Sequence, residues 1–203
     1  MNLYKNAVAI TGSIGVGKST ACNLLKLHGF VIIDADKVAY DILNKNVKTI
    51  VDMFGKECLK KDGTIDRRLL GMIVFNDKNK RKSIEKFMHP LIETDIINRS
   101  KKLDEHSNPY VIDIPLFYET KSYNIKRVVV VYASKETQLQ RLVRNKKWDI
   151  NEARIRIDIQ MSIEKKREIA WYVIDNTKDL KHLELEIESF IKYLGKCFPQ
   201  AKM

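Results

Sequence analysis

Gly12-Ser13-Ile14-Gly15-Val16-Gly17-Lys18-Ser19-Thr20 fills every position of the pattern G-x-x-x-x-G-K-[ST]. Residues of these types at this spacing can hold a polyphosphate. Gly12, Gly15 and Gly17 let the backbone take turns that a Cβ would resist. The loop N–H groups then turn inward toward phosphate oxygens, and the start of a following helix adds its positive dipole end. Lys18 is spaced to reach the β- and γ-phosphates of ATP, and the Ser19 hydroxyl to bind Mg²⁺.

Further acids and bases stand at positions where they can serve such a ligand. Asp34-Ala35-Asp36 follows the apolar run Phe30-Val31-Ile32-Ile33. These acids either face the transferring phosphate or cap the helix expected over 37–44. Asp113 ends the run Tyr110-Val111-Ile112-Asp113. It is either a Walker-B acid holding Mg²⁺, directly or through water, or a strand-end residue with no metal role. Arg141 and Arg144 lie three apart, hence on one helix face. The basic stretch continues through Arg154, Arg156, Lys165, Lys166 and Arg167. It reads either as a lid closing over triphosphate or as a solvated charged hairpin.

The elements that must position these groups alternate. The run Ala7-Val8-Ala9-Ile10 predicts a buried strand before the loop, and residues 21–28 predict a helix stopped by Gly29. Strands are expected over 30–33, 110–114, 127–132 and 171–176. Arg127-Val128-Val129-Val130-Val131-Tyr132 has the continuous β-branched character of a parallel sheet covered on both faces. Ser134 and Asp149-x-x-Glu152 supply helix starts. Leu180, Leu183, Ile187, Phe190, Ile191 and Leu194 form a helical stripe that packs on the sheet. No strand signal occurs between 61 and 109, so this stretch is expected to be a helical insertion. Pro90 suits the first position of a new helix there, with His89 just before it. The expected fold is α/β, with right-handed crossovers and the phosphate loop after the first of five parallel strands.

The ordered set G-S-I-G-V-G-K-S-T, I-D-A-D, H-P-L-I, D-I-P-L-F-Y-E, T-Q-L-Q-R-L-x-x-R, Q-x-S-x-x-x-K-R and V-I-D-N spans nearly the whole chain. It resembles the dephospho-coenzyme A kinase family. The resemblance implies a five-stranded parallel P-loop kinase core with a helical substrate domain and a helical lid. Residues 1–60 and 108–203 would form the core, with the lid at about 140–168, and residues 61–107 the acceptor domain. It implies transfer of phosphate from ATP, with Mg²⁺, to the ribose 3′-hydroxyl of dephospho-CoA. By motif, Asp36 resembles the family's candidate general base and Arg144 its lid arginine, with Lys18 and Arg141 completing the catalytic set. Residues 12–20 and Asn176 would hold ATP. Thr11, Asp34, Asp36, His89, Pro90 and Glu119 would meet the acceptor. The chain departs from the family's usual residues at Asn145, Trp171 and Tyr118.

Composition narrows the alternatives. A chain of 203 residues suits one compact domain with small insertions. No apolar run approaches the ~20 residues of a membrane span, and the N-terminus has no secretory apolar region followed by small residues. A cytoplasmic protein that does not engage membranes is therefore expected. The net charge of +11 suits a phosphate-rich ligand or merely solvated lysine-rich faces. No helix-turn-helix, zinc-finger or RNP pattern points to nucleic acid. Cys22, Cys58 and Cys197 are too widely spaced to suggest a disulfide framework or a metal site. A guanine switch needs N-K-x-D. Asn145-Lys146-Lys147-Trp148-Asp149 is one residue too long, and Asn176-Thr177-Lys178-Asp179 has Thr in place of Lys. The rival is another small-molecule P-loop kinase. The expected assembly is a monomer or a weak homo-oligomer.

Overall fold

The structure is a computed structural model that describes residues 3–120 and 122–201. Two compact units emerge. One comprises residues 1–33 with 100–203, and the other residues 34–99.

The first unit is built on a five-stranded sheet. The strands are β1 (Ala7–Gly12), β2 (Ile32–Asp34), β3 (Tyr110–Asp113), β4 (Val128–Tyr132) and β5 (Tyr172–Asp175), in the order β2-β3-β1-β4-β5. β1 pairs in parallel with β3 on one side and β4 on the other, and β4 with β5. Every residue of β1, β3 and β4 is buried. This follows from the apolar stretches 7–10, 110–112 and 128–131, which have no polar face to present to water. Helix α1 (Lys18–Leu27) and the C-terminal helix α10 (Leu180–Cys197) bury Ala21, Cys22, Leu25, Leu183, Ile187, Phe190 and Leu194 in one core with Val129, Val131 and Ile174. Leu180, expected in this stripe, is 55% exposed, because it opens α10 before the helix reaches the sheet.

The second unit is helical. It holds α2 (Ala35–Lys45), α3 (Val47–Phe54), α4 (Arg67–Phe75) and most of α5 (Lys78–Asp104). Gly55 ends α3 and Asp66 caps α4 by accepting from the Arg68 and Leu69 amides. The helical insertion expected over 61–107 overlaps a compact helical unit that spans Asp34–Arg99. The helix expected over 37–44 begins instead at Ala35, because the Asp34 carboxylate accepts from the Lys37 amide at 2.9 Å. Pro90 was expected to open a new helix, but α5 runs through it without a break. A proline there forfeits the bond to the Lys86 carbonyl, but Lys86 and Pro90 are both exposed, so water can take that acceptor.

The remaining elements belong to the first unit: α6 (Phe117–Thr120), α7 (Lys135–Lys146), α8 (Ile150–Asp158) and α9 (Ile163–Glu168). Ser134 caps α7 through the Thr137 amide, and Asp149 caps α8 through those of Asn151 and Glu152. No helix among the described residues is long and apolar enough to cross a membrane.

Gly12 needs no unusual backbone, contrary to the expectation for all three loop glycines. It closes β1, and a Cβ there would lie 2.7 Å from Val16 Cγ2 and 2.9 Å from the Val131 carbonyl oxygen. Backbone cannot yield as a flexible side chain can. Gly12→Ala should therefore destabilise the protein by about 1–3 kcal/mol, the usual cost of overpacking. Urea unfolding measures this, and an unchanged midpoint would contradict the packing described.

Candidate active site

The loop between β1 and α1 sits at the carboxyl ends of the parallel strands, where open α/β sheets bind ligands. Gly15 and Gly17 have φ of 81° and 87°. A Cβ at Gly17 would also strike the Asn176 side chain. The loop thus needs glycine at both positions, for conformation and for space.

A loop whose amides face a ligand must turn carbonyls the other way, and each needs a donor. The structure supplies them from distant parts of the chain. The Val16 carbonyl accepts from Asn176 Nδ2 at 2.7 Å, just beyond β5, and from the Arg141 guanidinium at 3.3 Å, on α7. The Gly12 carbonyl accepts from Lys166 Nζ at 3.0 Å, on α9. The Ile14 amide donates to Gln160 Oε1 at 2.9 Å. The Ile14 side chain joins the apolar cluster of Leu142, Ala153 and Ile157 that fastens α7 to α8.

Lys18 opens α1, and its ammonium pairs with Asp113 Oδ1 at the end of β3. The other Asp113 oxygen faces Cys22 Sγ at 3.6 Å. Burial and then the Asp113 charge push the Cys22 thiol up to about 12. The Thr11 hydroxyl donates to the Pro115 carbonyl at 2.9 Å. Ser19, in the first turn of α1, is exposed and lines the cleft.

The cleft has a volume of about 690 Å³ and is bounded by the loop, Arg141, Lys146, Trp148, Lys178 and the start of α10. Lys18, Arg141, Lys146 and Lys178 face it as cations, against the single acid Asp179. Such a basic concavity concentrates an anion. Desolvation lowers the Arg141 pKa from its ordinary value, but an arginine starts so high that it stays charged. Arg144, paired with Arg141 in the sequence analysis, is exposed and is not among the residues lining the cleft. Asn145 and Lys146 are. Glu119 Oε1 accepts from the Met161 amide at 3.1 Å and faces Lys166 Nζ at 2.8 Å. Lys166, expected on a solvated or lid face, has a side chain with 0% exposure. Gln160 and Lys166 stand in the motif Q-x-S-x-x-x-K-R, and Lys166 in the basic stretch, but the sequence assigned neither a place in the site. The spacing Q-x-S-x-x-x-K gave a signal, but its Lys sits in the run Lys165-Lys166-Arg167, whose polarity masks the one buried member.

The other expected residues lie in the helical unit. Asp34 is half-buried and acts as the α2 cap, while Asp36 lies exposed in the first turn of α2. His89 lines a cavity of about 230 Å³ with Tyr40, Leu43, Arg67, Leu70 and Met88. The Arg67 guanidinium stands 5.8 Å from the Tyr40 ring centre. Pro90 follows on the exposed side of α5.

With this geometry established, the chain can be set beside known proteins. The family model described as dephospho-CoA kinase matches residues 6–182. The chain belongs to the dephospho-CoA kinase family. The dephospho-CoA kinase of Sulfurimonas denitrificans is 44% identical over 95% of this chain and 98% of its own length. That of Helicobacter pylori is 42% identical over 95% and 99%. Among solved structures, the dephospho-CoA kinase from Campylobacter jejuni superposes with a TM-score of 0.74 at 36% identity, covering 94% of this chain and 98% of that one. A shikimate kinase from Acinetobacter baumannii, at 17% identity and a TM-score of 0.50, shares the fold. The dephospho-CoA kinase fold is thus the α/β P-loop architecture expected from the strand–helix alternation.

In this dephospho-CoA kinase family member, a thiol held up at about 12 beside the loop stays protonated at neutral pH. Only the thiolate is an effective nucleophile. Cys22 should therefore resist iodoacetamide at pH 8 in the folded protein and react promptly in denaturant. Peptide mass mapping reads the site, and rapid labelling of folded protein at Cys22 would contradict the environment described.

Proposed function

We propose that the chain phosphorylates the ribose 3′-hydroxyl of dephospho-CoA with ATP, giving CoA and ADP. The observation that carries this reading is the family match over residues 6–182. The loop geometry and the cationic cleft supply the physical support.

In this reading the triphosphate lies against the loop amides and the Lys18 ammonium. Lys18, already drawn in by Asp113, offers a fixed positive charge to the γ-phosphoryl group as it leaves ATP. Arg141, tied to the Val16 carbonyl, adds charge from the α7 side. Arg144 belongs to the part of the α7–α8 hairpin that would act as a lid over residues of about 140–168. Asn176 supports the nucleotide through the loop it braces. Mg²⁺ would be held by the Ser19 hydroxyl and, directly or through water, by Asp113, and would neutralise charge on the β- and γ-phosphates. Hard oxygen donors of this kind suit that ion.

The helical unit would hold the acceptor. Its cavity pairs an apolar floor of Leu43, Leu70 and Met88 with Arg67 and His89 at the rim, a mixture suited to a long, partly apolar phosphate ester. Asp36 would take the proton of the 3′-hydroxyl, with Thr11, Asp34, Pro90 and Glu119 contributing to acceptor positioning. A monomer or weak homo-oligomer in the cytoplasm, engaging neither membranes nor nucleic acid, completes the proposal.

A coupled ADP-release assay with dephospho-CoA, AMP, adenosine and shikimate tests the reaction. ADP should appear with dephospho-CoA alone. Turnover favouring another acceptor would replace this reading with that of a different small-molecule kinase. Asp36→Asn should lower kcat roughly 10²–10⁴-fold, the range for a lost general base. Asp34→Asn should lower it less, since asparagine also caps helices well. Single-turnover rates rank the two, and a slower Asp34 variant would move the base to that carboxylate.

A further inference from the structure

A lysine is among the residues least often buried, and it is buried only when paired. Lys166 has no exposure at all. Its ammonium contacts the Gly12 carbonyl at 3.0 Å and Glu119 Oε1 at 2.8 Å. Glu119 is itself tethered by the Met161 amide at 3.1 Å. The charge is therefore held at a defined point, next to the first residue of the phosphate-loop motif.

The peptide that joins Gly12 to Ser13 is planar and trans, since no cis peptide occurs among the described residues. In a trans peptide the C=O and N–H point opposite ways. A cation that fixes the Gly12 carbonyl therefore fixes the direction of the Ser13 N–H. Polarisation by the cation also strengthens that N–H as a donor. Ser13 lines the cleft. One peptide further on, the Ile14 amide is held by Gln160, six residues before Lys166. The segment from Gln160 to Lys166 thus grips the entrance of the loop at two points and is tied to Glu119 at a third.

We infer that Lys166 is a positioning residue for the nucleotide site: its buried ammonium orients the first peptide of the phosphate loop, with Glu119 as its counter-charge. It does not touch the nucleotide. It acts through backbone and through the field it adds beneath the loop. The inference rests on the reading of the cleft as an ATP site.

The test separates orientation from stability. Lys166→Met keeps the length of the side chain and removes the charge. It leaves Glu119 unpaired in a largely buried setting, so the melting temperature falls. The double variant Lys166→Met/Glu119→Gln leaves no unpaired charge, and its glutamine oxygen still accepts from Met161. Its melting temperature should return toward that of the parent.

MgATP affinity is read by titration calorimetry without acceptor, and KM values by steady-state assay. In both variants MgATP should bind about tenfold or more weakly, as expected for a lost hydrogen bond to a charged group. The KM for dephospho-CoA of Lys166→Met should stay within about twofold. Recovery of MgATP affinity together with stability in the double variant would overturn the inference, leaving Lys166 a purely structural residue. So would a folded Lys166→Met with parental affinity, or loss of the fold in both variants. Failure of the parent protein itself to bind MgATP would instead refute the ATP-site reading.

Discussion

The structure around the active site follows from one constraint: a loop that turns amides toward phosphate must have its outward carbonyls satisfied. In this chain the donors come from three separate elements. Asn176 leaves β5, Arg141 stands on α7 and Lys166 on α9, and all reach the same short loop. An unmade bond at any buried carbonyl costs roughly 1–3 kcal/mol. The sheet order explains how such distant residues meet, since β4 and β5 lie on one side of β1 and carry α7 and α9 to the loop's flank.

Charge is arranged on the same plan. Lys18 at the start of α1 pairs with Asp113 at the end of β3, and Lys166 pairs with Glu119 beside the loop. Neither pair is retained simply for stability, because desolvating two ions offsets much of their attraction. Each places an ammonium group at a fixed point beside the phosphate loop. The cations that line the open cleft are of a different kind. Lys146 and Lys178 have no such counter-charge among the described residues and supply a diffuse attraction.

Much of this was legible in the sequence. The motif named the loop, the Val and Ile runs named the strands, and Ser134 and Asp149 named their helices, because these signals are local. What escaped depends on tertiary placement. Lys166 sits between Lys165 and Arg167, and nothing in that run tells which ammonium finds a half-buried carboxylate 47 positions earlier. Gln160 opens the motif Q-x-S-x-x-x-K-R, but nothing local says that its side chain meets the Ile14 amide. Pro90 carries a strong local signal for a helix start, overridden by the continuity of α5. Gly12 was read as a conformational glycine, but it is needed for space against β4.

The central claim is that the loop is held in its working shape from outside, by Lys166, Asn176 and Arg141, before any nucleotide arrives. A pair of crystal structures, without nucleotide and with a non-hydrolysable MgATP analogue, tests it most directly. A preformed site should keep the backbone of residues 12–19 within about 1 Å between the two, as in other pre-organised binding sites, with the Lys166 to Gly12 contact present in both. A nucleotide-free loop that has collapsed, with the Gly12 carbonyl turned away from Lys166, would contradict the account.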